Sequence, residues 1–320
     1  MPFSANLLNN LNFDFMSKRR IAYIFSSVFI GLGLIVLISQ GLNLGVDFKG
    51  GRSYVVTFDD TVVPSDLMTS LSDNFDGKAV EVKTFGATNV LKITTSYLVG
   101  DESDEADTDV RQRLLSGIEE FSGSSFVENT ASLGENQFTI SSSSKVGATI
   151  ADDILSASLK AIIFSIIVIF LYILIRFRKW QYSTGAIIAL FHDVLFVLGG
   201  YAIAGLLGLR YEVDQVFIAA MLTIVGYSIN DTVIVFDRIR ETLGLKPRLP
   251  LKEAVNESVN NVMSRTLITS LTTLLVVLIL LVFGGEVLRG FSFALFIGIL
   301  VGTYSSVYIA SPVVVDLTQR

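Results

Sequence analysis

The segment Val216–Phe236 reads VFIAAMLTIVGYSINDTVIVF. It holds 21 residues and a single charge, Asp231. A helix needs about 20 mainly apolar residues to cross the hydrocarbon core of a bilayer. The segment therefore predicts a membrane span with a carboxylate at membrane depth. Working outward, five more stretches share its length and character: residues 21–40, 154–175, 182–207, 266–283 and 291–315. The chain of 320 residues is 51% hydrophobic and 17% charged. The expected fold class is an α-helical polytopic membrane protein with six transmembrane helices, and an ordinary soluble enzyme is excluded. The chain has no cysteine, which removes disulfides and thiolate chemistry. Its net charge of −6 leaves no footprint for nucleic acid. It has no P-loop, no HExxH and no Gly-x-Ser-x-Gly elbow, and one histidine cannot build a zinc cluster. The chain reads as no enzyme, with no metal or cofactor; any work must draw on a partner or an ion gradient.

Charge sets the expected orientation. Lys18, Arg19 and Arg20 precede the first span, which is longer than a signal-peptide core and lacks an A-x-A site, so it reads as a retained anchor. Six spans put both termini on one side. That side collects thirteen Lys/Arg in the termini and short loops, including Arg320, against two opposite, Arg210 and Arg289. Positive loops stay in the cytoplasm. Residues 1–20 are thus expected as a cytoplasmic N-terminus of a multi-pass protein of the cytoplasmic (inner) membrane. Residues 41–153 are expected outside.

That outside segment carries 19 of the 30 Asp/Glu and is soluble in character. Strands are predicted at Ser53–Phe58, Ala79–Phe85, Val90–Ser96 and Gln137–Ser143. Helices are predicted at Pro64–Phe75 and Asp109–Phe121, with Gly100–Asp107 as an acidic loop. The order β-α-β-β-α-β predicts an extracytoplasmic α+β ferredoxin-like domain. On the other side, residues 237–265 read as a cytoplasmic loop. Within it, Pro250–Met263 has an apolar helical face, which suits either the membrane surface or neighbouring span ends.

Ionisable groups at bilayer depth each cost about 2.5–3.5 kcal/mol unless paired or hydrated, so each is a functional candidate. Asp193 sits near the midplane of the third span, below the small residues Gly185 and Ala189. It either ties helices together or handles a proton. Its neighbour His192 points about 100° away on an ideal helix, so the two need not share a site. Asp231 shares a helical face with Ala220, Thr223, Tyr227 and Asn230. Burial and a nearby cation act oppositely on a carboxylate's proton affinity, which lets such a group take and release a proton near neutral pH. Arg265 opens the fifth span at similar depth, followed by the hydroxyls of Thr266, Thr269, Ser270, Thr272 and Thr273. These positions predict an Asp231–Arg265 pair in a hydroxylated path. Gly298, Gly302, Ser306 and Ala310 form a small-residue stripe suited to close helix packing.

Several of these stretches resemble the SecD/SecF family of protein-export membrane proteins. Gly45-Val46-Asp47-Phe48-Lys49-Gly50-Gly51 is similar to its glycine-pair signature, with lysine at position 49 where threonine is usual and Arg52 adding further positive charge. Phe191-His192-Asp193-Val194, the run from Tyr227 to Glu241, Ser264–Ser270, Phe283-Gly284-Gly285 and Gly298–Ser306 resemble the blocks of spans three to six. The resemblance covers all six spans and is weak across the outside domain. It implies pairing with a SecD-like half into a twelve-span unit related to resistance-nodulation-division transporters. It also implies the Sec channel (SecYEG), accessory subunits such as YajC, and a translocating polypeptide as partners within the lipid bilayer. The proton gradient would be the energy source, with Asp231 and Arg265 on the proton path. Half of a small-molecule efflux permease is a second expectation and a non-transporting scaffold a third. The small, acidic, aromatic-poor outside domain favours export over efflux.

Overall fold

The computed structural model describes residues 13–77, 80–128, 133–209 and 211–318. Residues 1–12 of the expected cytoplasmic terminus, Ala79 at an expected strand start, and Arg210 and Arg320 of the charge count lie outside the described residues. The chain divides into two units, Leu44–Leu159 and a second made of Met1–Asn43 with Lys160–Arg320.

The first unit is an α+β domain. A single helical turn, α2 (Val46–Lys49), leads into β1 (Gly51–Phe58), followed by α3 (Pro64–Asn74), β2 (Val80–Phe85), β3 (Ala87–Thr95), α4 (Asp104–Ser122), β4 (Ser125–Phe126) and β5 (Gln137–Val146). The sheet order is β2-β3-β1-β5-β4. The first four of these strands pair antiparallel, and β4 adds a short parallel edge to β5. This is the split βαβ arrangement that the alternation of short apolar runs predicts. Every second residue of a strand faces one side, so Val56, Phe58, Leu91, Ile93 and Phe138 are buried together. Leu67 and Leu71 of α3 and Val110, Leu114 and Ile118 of α4 close the core. Burying such a side chain contributes about 1.5–3 kcal/mol.

Two readings of this domain need correction. The stretch expected as an acidic loop is partly helix. Ser103 accepts a hydrogen bond from the Ala106 N–H, and Asp104, Glu105 and Asp107 fill the first turn. Carboxylates there offset the positive helix N-terminus, so the acidic run starts the helix. The hairpin is also tighter than expected, because β3 begins at Ala87, directly after Gly86.

The buried Arg52 guanidinium donates to the Asp107 carboxylate and to the carbonyls of Tyr97, Leu98 and Asp101. Lys145 lies 2.8 Å from the other Asp107 oxygen. The Lys145 hydrogen bond, with Arg52 beside it, holds the Asp107 carboxyl below the usual carboxylate range. A depressed folded-state pKa stabilises above the unfolded value and loses that contribution as pH falls through the folded one. Hydrogen exchange at β1 and β5 should therefore accelerate as pH falls below about 4, after correction for intrinsic rates. Asp107→Asn should remove that dependence.

The second unit is a helix bundle. Among the described residues, six helices are long and apolar enough to cross a membrane. They are α1 (Arg19–Gln40), α5 (Ala148–Phe177), α6 (Trp180–Leu206), α7 (Gln215–Leu245), α8 (Leu251–Phe283) and α9 (Gly285–Ser305). The last continues through a π turn (Ser306–Ala310) into α10 (Ser311–Thr318). Pro312 lacks an N–H, and the π turn lies just before it, with the Ser311 side-chain hydroxyl donating to the Ser306 carbonyl at 2.7 Å. The boundary between the two units falls inside α5. Helices α6 and α9 are the most enclosed, whereas α1, α5 and α8 show rows of exposed Ile, Leu, Val and Phe, as lipid-facing helices do.

The small residues set the closest approaches. A Cβ on Gly33 of α1 would lie 2.5 Å from the Gly199 Cα on α6. Gly298 receives Ile224, Gly302 receives Ser228, and Ser306 bonds Thr232 at 3.0 Å. The four-residue stripe of α9 thus meshes with a four-residue stripe of α7.

The expected loop of residues 237–265 is instead two helix ends. Helix α7 runs on to Leu245, and α8 passes through Arg265 unbroken. Ala254, Val255, Ser258 and Val259 are buried in the bundle. The side chains of Asn256 and Asn260 accept the N–H groups of Phe15 and Phe13 at 2.9 Å. Of the two sequence readings, packing against neighbouring segments is the one observed.

Candidate functional site: two carboxylates inside the helix bundle

Asp193 is buried on α6 at 1% exposure. One of its oxygens accepts from the Ser228 hydroxyl of α7 at 2.6 Å and from the Ser305 hydroxyl of α9 at 2.8 Å. The other lies 2.9 Å from His192 Nδ1. Neighbours on a helix diverge, yet the His192 side chain folds back, so the two do share a site. Its Nε2 lies 2.9 Å from the Ser26 hydroxyl on α1, which lies 3.1 Å from the Tyr304 hydroxyl. Tyr304 donates to the Ala22 carbonyl. Four helices therefore meet at one polar knot. Asp193→Ala should leave the Ser228 hydroxyl and the His192 ring without their acceptor, while Ser305 falls back on the Gly302 carbonyl. The bundle should lose about 2–3 kcal/mol, seen as a lower unfolding midpoint of the purified chain.

Asp231 on α7 is equally buried but loosely held. Its nearest donors are the Ser270 hydroxyl of α8 at 3.5 Å and the Thr303 hydroxyl of α9 at 3.4 Å. Those two hydroxyls bond each other at 2.6 Å. A carboxylate with only long contacts is held far less firmly than Asp193. Arg265 lies one and a half turns before Ser270 on α8, exposed on the bundle surface. Its side chain lines one cavity with Ile234, Asp237 and Arg238 of α7, the residues that follow Asp231 on that helix. No ion pair joins the two among the described residues, so the direct pair expected from the sequence is corrected. Both lie where α7 and α8 adjoin.

The supporting residues divide. Tyr227 donates to Thr273 at 3.4 Å, whereas Asn230 and Thr223 are exposed rather than sharing the inward face of Asp231. The Thr266 hydroxyl, beside Arg265, is buried without a partner among the described residues. Thr269 bonds back to the carbonyls of Arg265 and Thr266. Ser26, Ser228, Thr303, Tyr304 and Ser305 escaped the sequence reading. Hydroxyls spread over α1, α7 and α9 carry no local pattern that joins them.

Residues 126–320 match the family described as protein export membrane protein SecD/SecF, C-terminal, and residues 35–62 match its SecD/SecF GG motif. A protein translocase subunit SecF of Rhodothermus marinus is 44% identical over 98% of this chain and 96% of its own length. One from Petrotoga mobilis is 34% identical, covering 97% of each. The chain belongs to the SecD/SecF protein-export family. Among solved structures, the crystal structure of SecDF from Thermus thermophilus superposes with a TM-score of 0.80 at 34% identity. The match covers 98% of this chain and 40% of that longer one. The function is accordingly that of a SecF-type subunit of the protein translocase, a transport role.

The family's glycine pair has a physical reading here. Gly50 and Gly51 follow the turn α2, which carries Asp47 and the buried Phe48, and have φ of 69° and 126°. Side-chain-bearing residues rarely adopt such angles. A Cβ on Gly51 would also lie 2.5 Å from the Thr95 carbonyl oxygen, and one on Gly50 2.7 Å from Val99. The SecD/SecF signature thus lets the chain enter β1 against β3. Gly51→Ala should destabilise the α+β domain by at least about 1–3 kcal/mol, measured by denaturant titration.

Proposed function

We propose that this SecF-type subunit assists polypeptide export by cycling a proton on Asp231, with Arg265 as the electrostatic control. The carrying observation is the contrast between the two buried carboxylates. Asp193 is locked by three short hydrogen bonds, whereas Asp231 has two contacts at the limit of hydrogen bonding, with a cation nearby but unpaired. A small approach of Arg265 would change the field at Asp231 strongly in a low-dielectric site. The bundle could supply that movement by rocking against a SecD-type half, as repeat-built transporters do.

In this reading the protein spans the cytoplasmic (inner) membrane with both termini in the cytoplasm and the α+β domain outside, where it meets the emerging polypeptide. The partners are a SecD-type half, the SecYEG channel and accessory subunits such as YajC. Tyr227, Thr266 and Thr269 line the proton's approach, Asn230 lies off it on the exposed side of α7, and His192 and Asp193 form the fixed frame behind it. Co-purification from native membranes should recover a SecD-type half and channel subunits. The chain has no cysteine, so single cysteines test its orientation. An impermeant maleimide should label Ser116→Cys from outside and Leu245→Cys only after permeabilisation. The reverse pattern would invert the topology.

A further inference from the structure

A cavity of about 700 Å³ opens where α5 and α7 end and α8 begins. Arg176, Arg238, Arg240 and Arg265 line it together with Asp237 and Glu241. Four guanidiniums face two carboxylates. The pairing consumes some of these charges and leaves others. Arg176 and Arg240 both bind Asp237 at 3.0 Å. Arg238 reaches Glu241 at 2.8 Å through one terminal nitrogen, and its Nε is buried without a partner. Among the described residues, Arg265 has no carboxylate within ion-pair distance. Two guanidiniums with uncommitted donors therefore face one cavity that carries excess positive charge.

The position of the cavity says which anion suits it. The exposed Trp180 begins α6 at the same end of the bundle, and tryptophan favours the headgroup layer. Ile234 and Val262 give the cavity an apolar side as well. A basic pocket between helix ends, polar on one side and apolar on the other, has the chemistry of an anionic headgroup site. We propose that this cavity binds the phosphate of an anionic phospholipid headgroup, held by the free donors of Arg238 and Arg265 in the bidentate manner of guanidinium groups. The site shares Arg265 with the proton reading, and its test therefore rests on Arg238 and Arg240, which that reading does not use.

The test uses the full chain purified with its SecD-type half. Native mass spectrometry compares added phosphatidylglycerol, phosphatidylcholine and inorganic phosphate. Phosphatidylglycerol should be retained in preference to phosphatidylcholine. Arg238→Gln should weaken that retention about 5-fold, the effect of one basic side chain near a headgroup. Arg238→Lys should restore part of it, keeping the charge without the fork. Arg240→Gln, whose own charge is paired to Asp237, should have a smaller effect. Equal retention of both lipids would overturn the proposal, as would retention unchanged in Arg238→Gln. Displacement of phosphatidylglycerol by inorganic phosphate at equal concentration would overturn the lipid assignment in favour of a soluble phosphate. A cavity covered by the SecD-type half would show no lipid preference, and that also counts against it.

Discussion

Asp231→Asn should reduce proton-driven export assistance to the level seen without the subunit, at unchanged protein abundance and assembly. Asparagine keeps the volume of aspartate and can still meet Ser270 and Thr303, but it cannot exchange a proton in the working range. The structural cost should be small, because the contacts it inherits are 3.5 and 3.4 Å long. Hydrogen bonds between membrane helices contribute only about 0.6 kcal/mol on average. The same substitution at Asp193 should behave oppositely, with lower stability first and lower activity as its consequence. Export measured in membrane vesicles, with abundance followed by immunoblot, separates the two outcomes. Wild-type assistance from the Asp231→Asn variant at normal abundance would remove Asp231 from the mechanism.

Replacing residues 51–146 by a short Gly/Ser linker should abolish export stimulation and leave the helices inserted at normal level. The excision is geometrically mild. Gly51 and Val146 are directly opposed in the antiparallel pairing of β1 and β5, so the cut ends lie about 5 Å apart. The helix bundle has its own buried core, with Tyr182, Phe236, Val255 and Val314 among its members. That core does not draw on the removed residues. Stimulation that survives the excision would mean that the α+β domain does not handle the exported chain.

The sequence shows the elements plainly where one physical signal dominates. Long apolar runs announce the helices, and alternation between Ser53 and Phe58 announces β1. The four-residue spacing of Gly298, Gly302 and Ser306 likewise marks a packing face. It fails where two signals overlap. The acidic run at 101–107 looks like a solvated loop, yet carboxylates are also what a helix N-terminus favours, and Ser103 caps it. The polar residues of 251–265 suggest a break before the fifth span. That polarity instead serves contacts with the segment around Phe13 and Phe15. The site is half legible in the same way. Asp193, Asp231 and Arg265 stand out because charge is costly in a bilayer. The hydroxyls that make one carboxylate rigid and leave the other loose are scattered over four helices, and only the fold assembles them. The unpaired state of Arg265 is likewise a property of side-chain placement.

In the proposed cycle Asp231 exchanges a proton while Asp193 stays fixed in its hydrogen-bonded knot. Infrared difference spectroscopy tests it most directly. The chain is reconstituted with its SecD-type half, and spectra are compared before and after an imposed pH gradient. A carboxylic-acid band should change with the gradient in the wild type, vanish in Asp231→Asn and persist in Asp193→Asn. A band that persists in Asp231→Asn and vanishes in Asp193→Asn would contradict the account and make Asp193 the proton carrier.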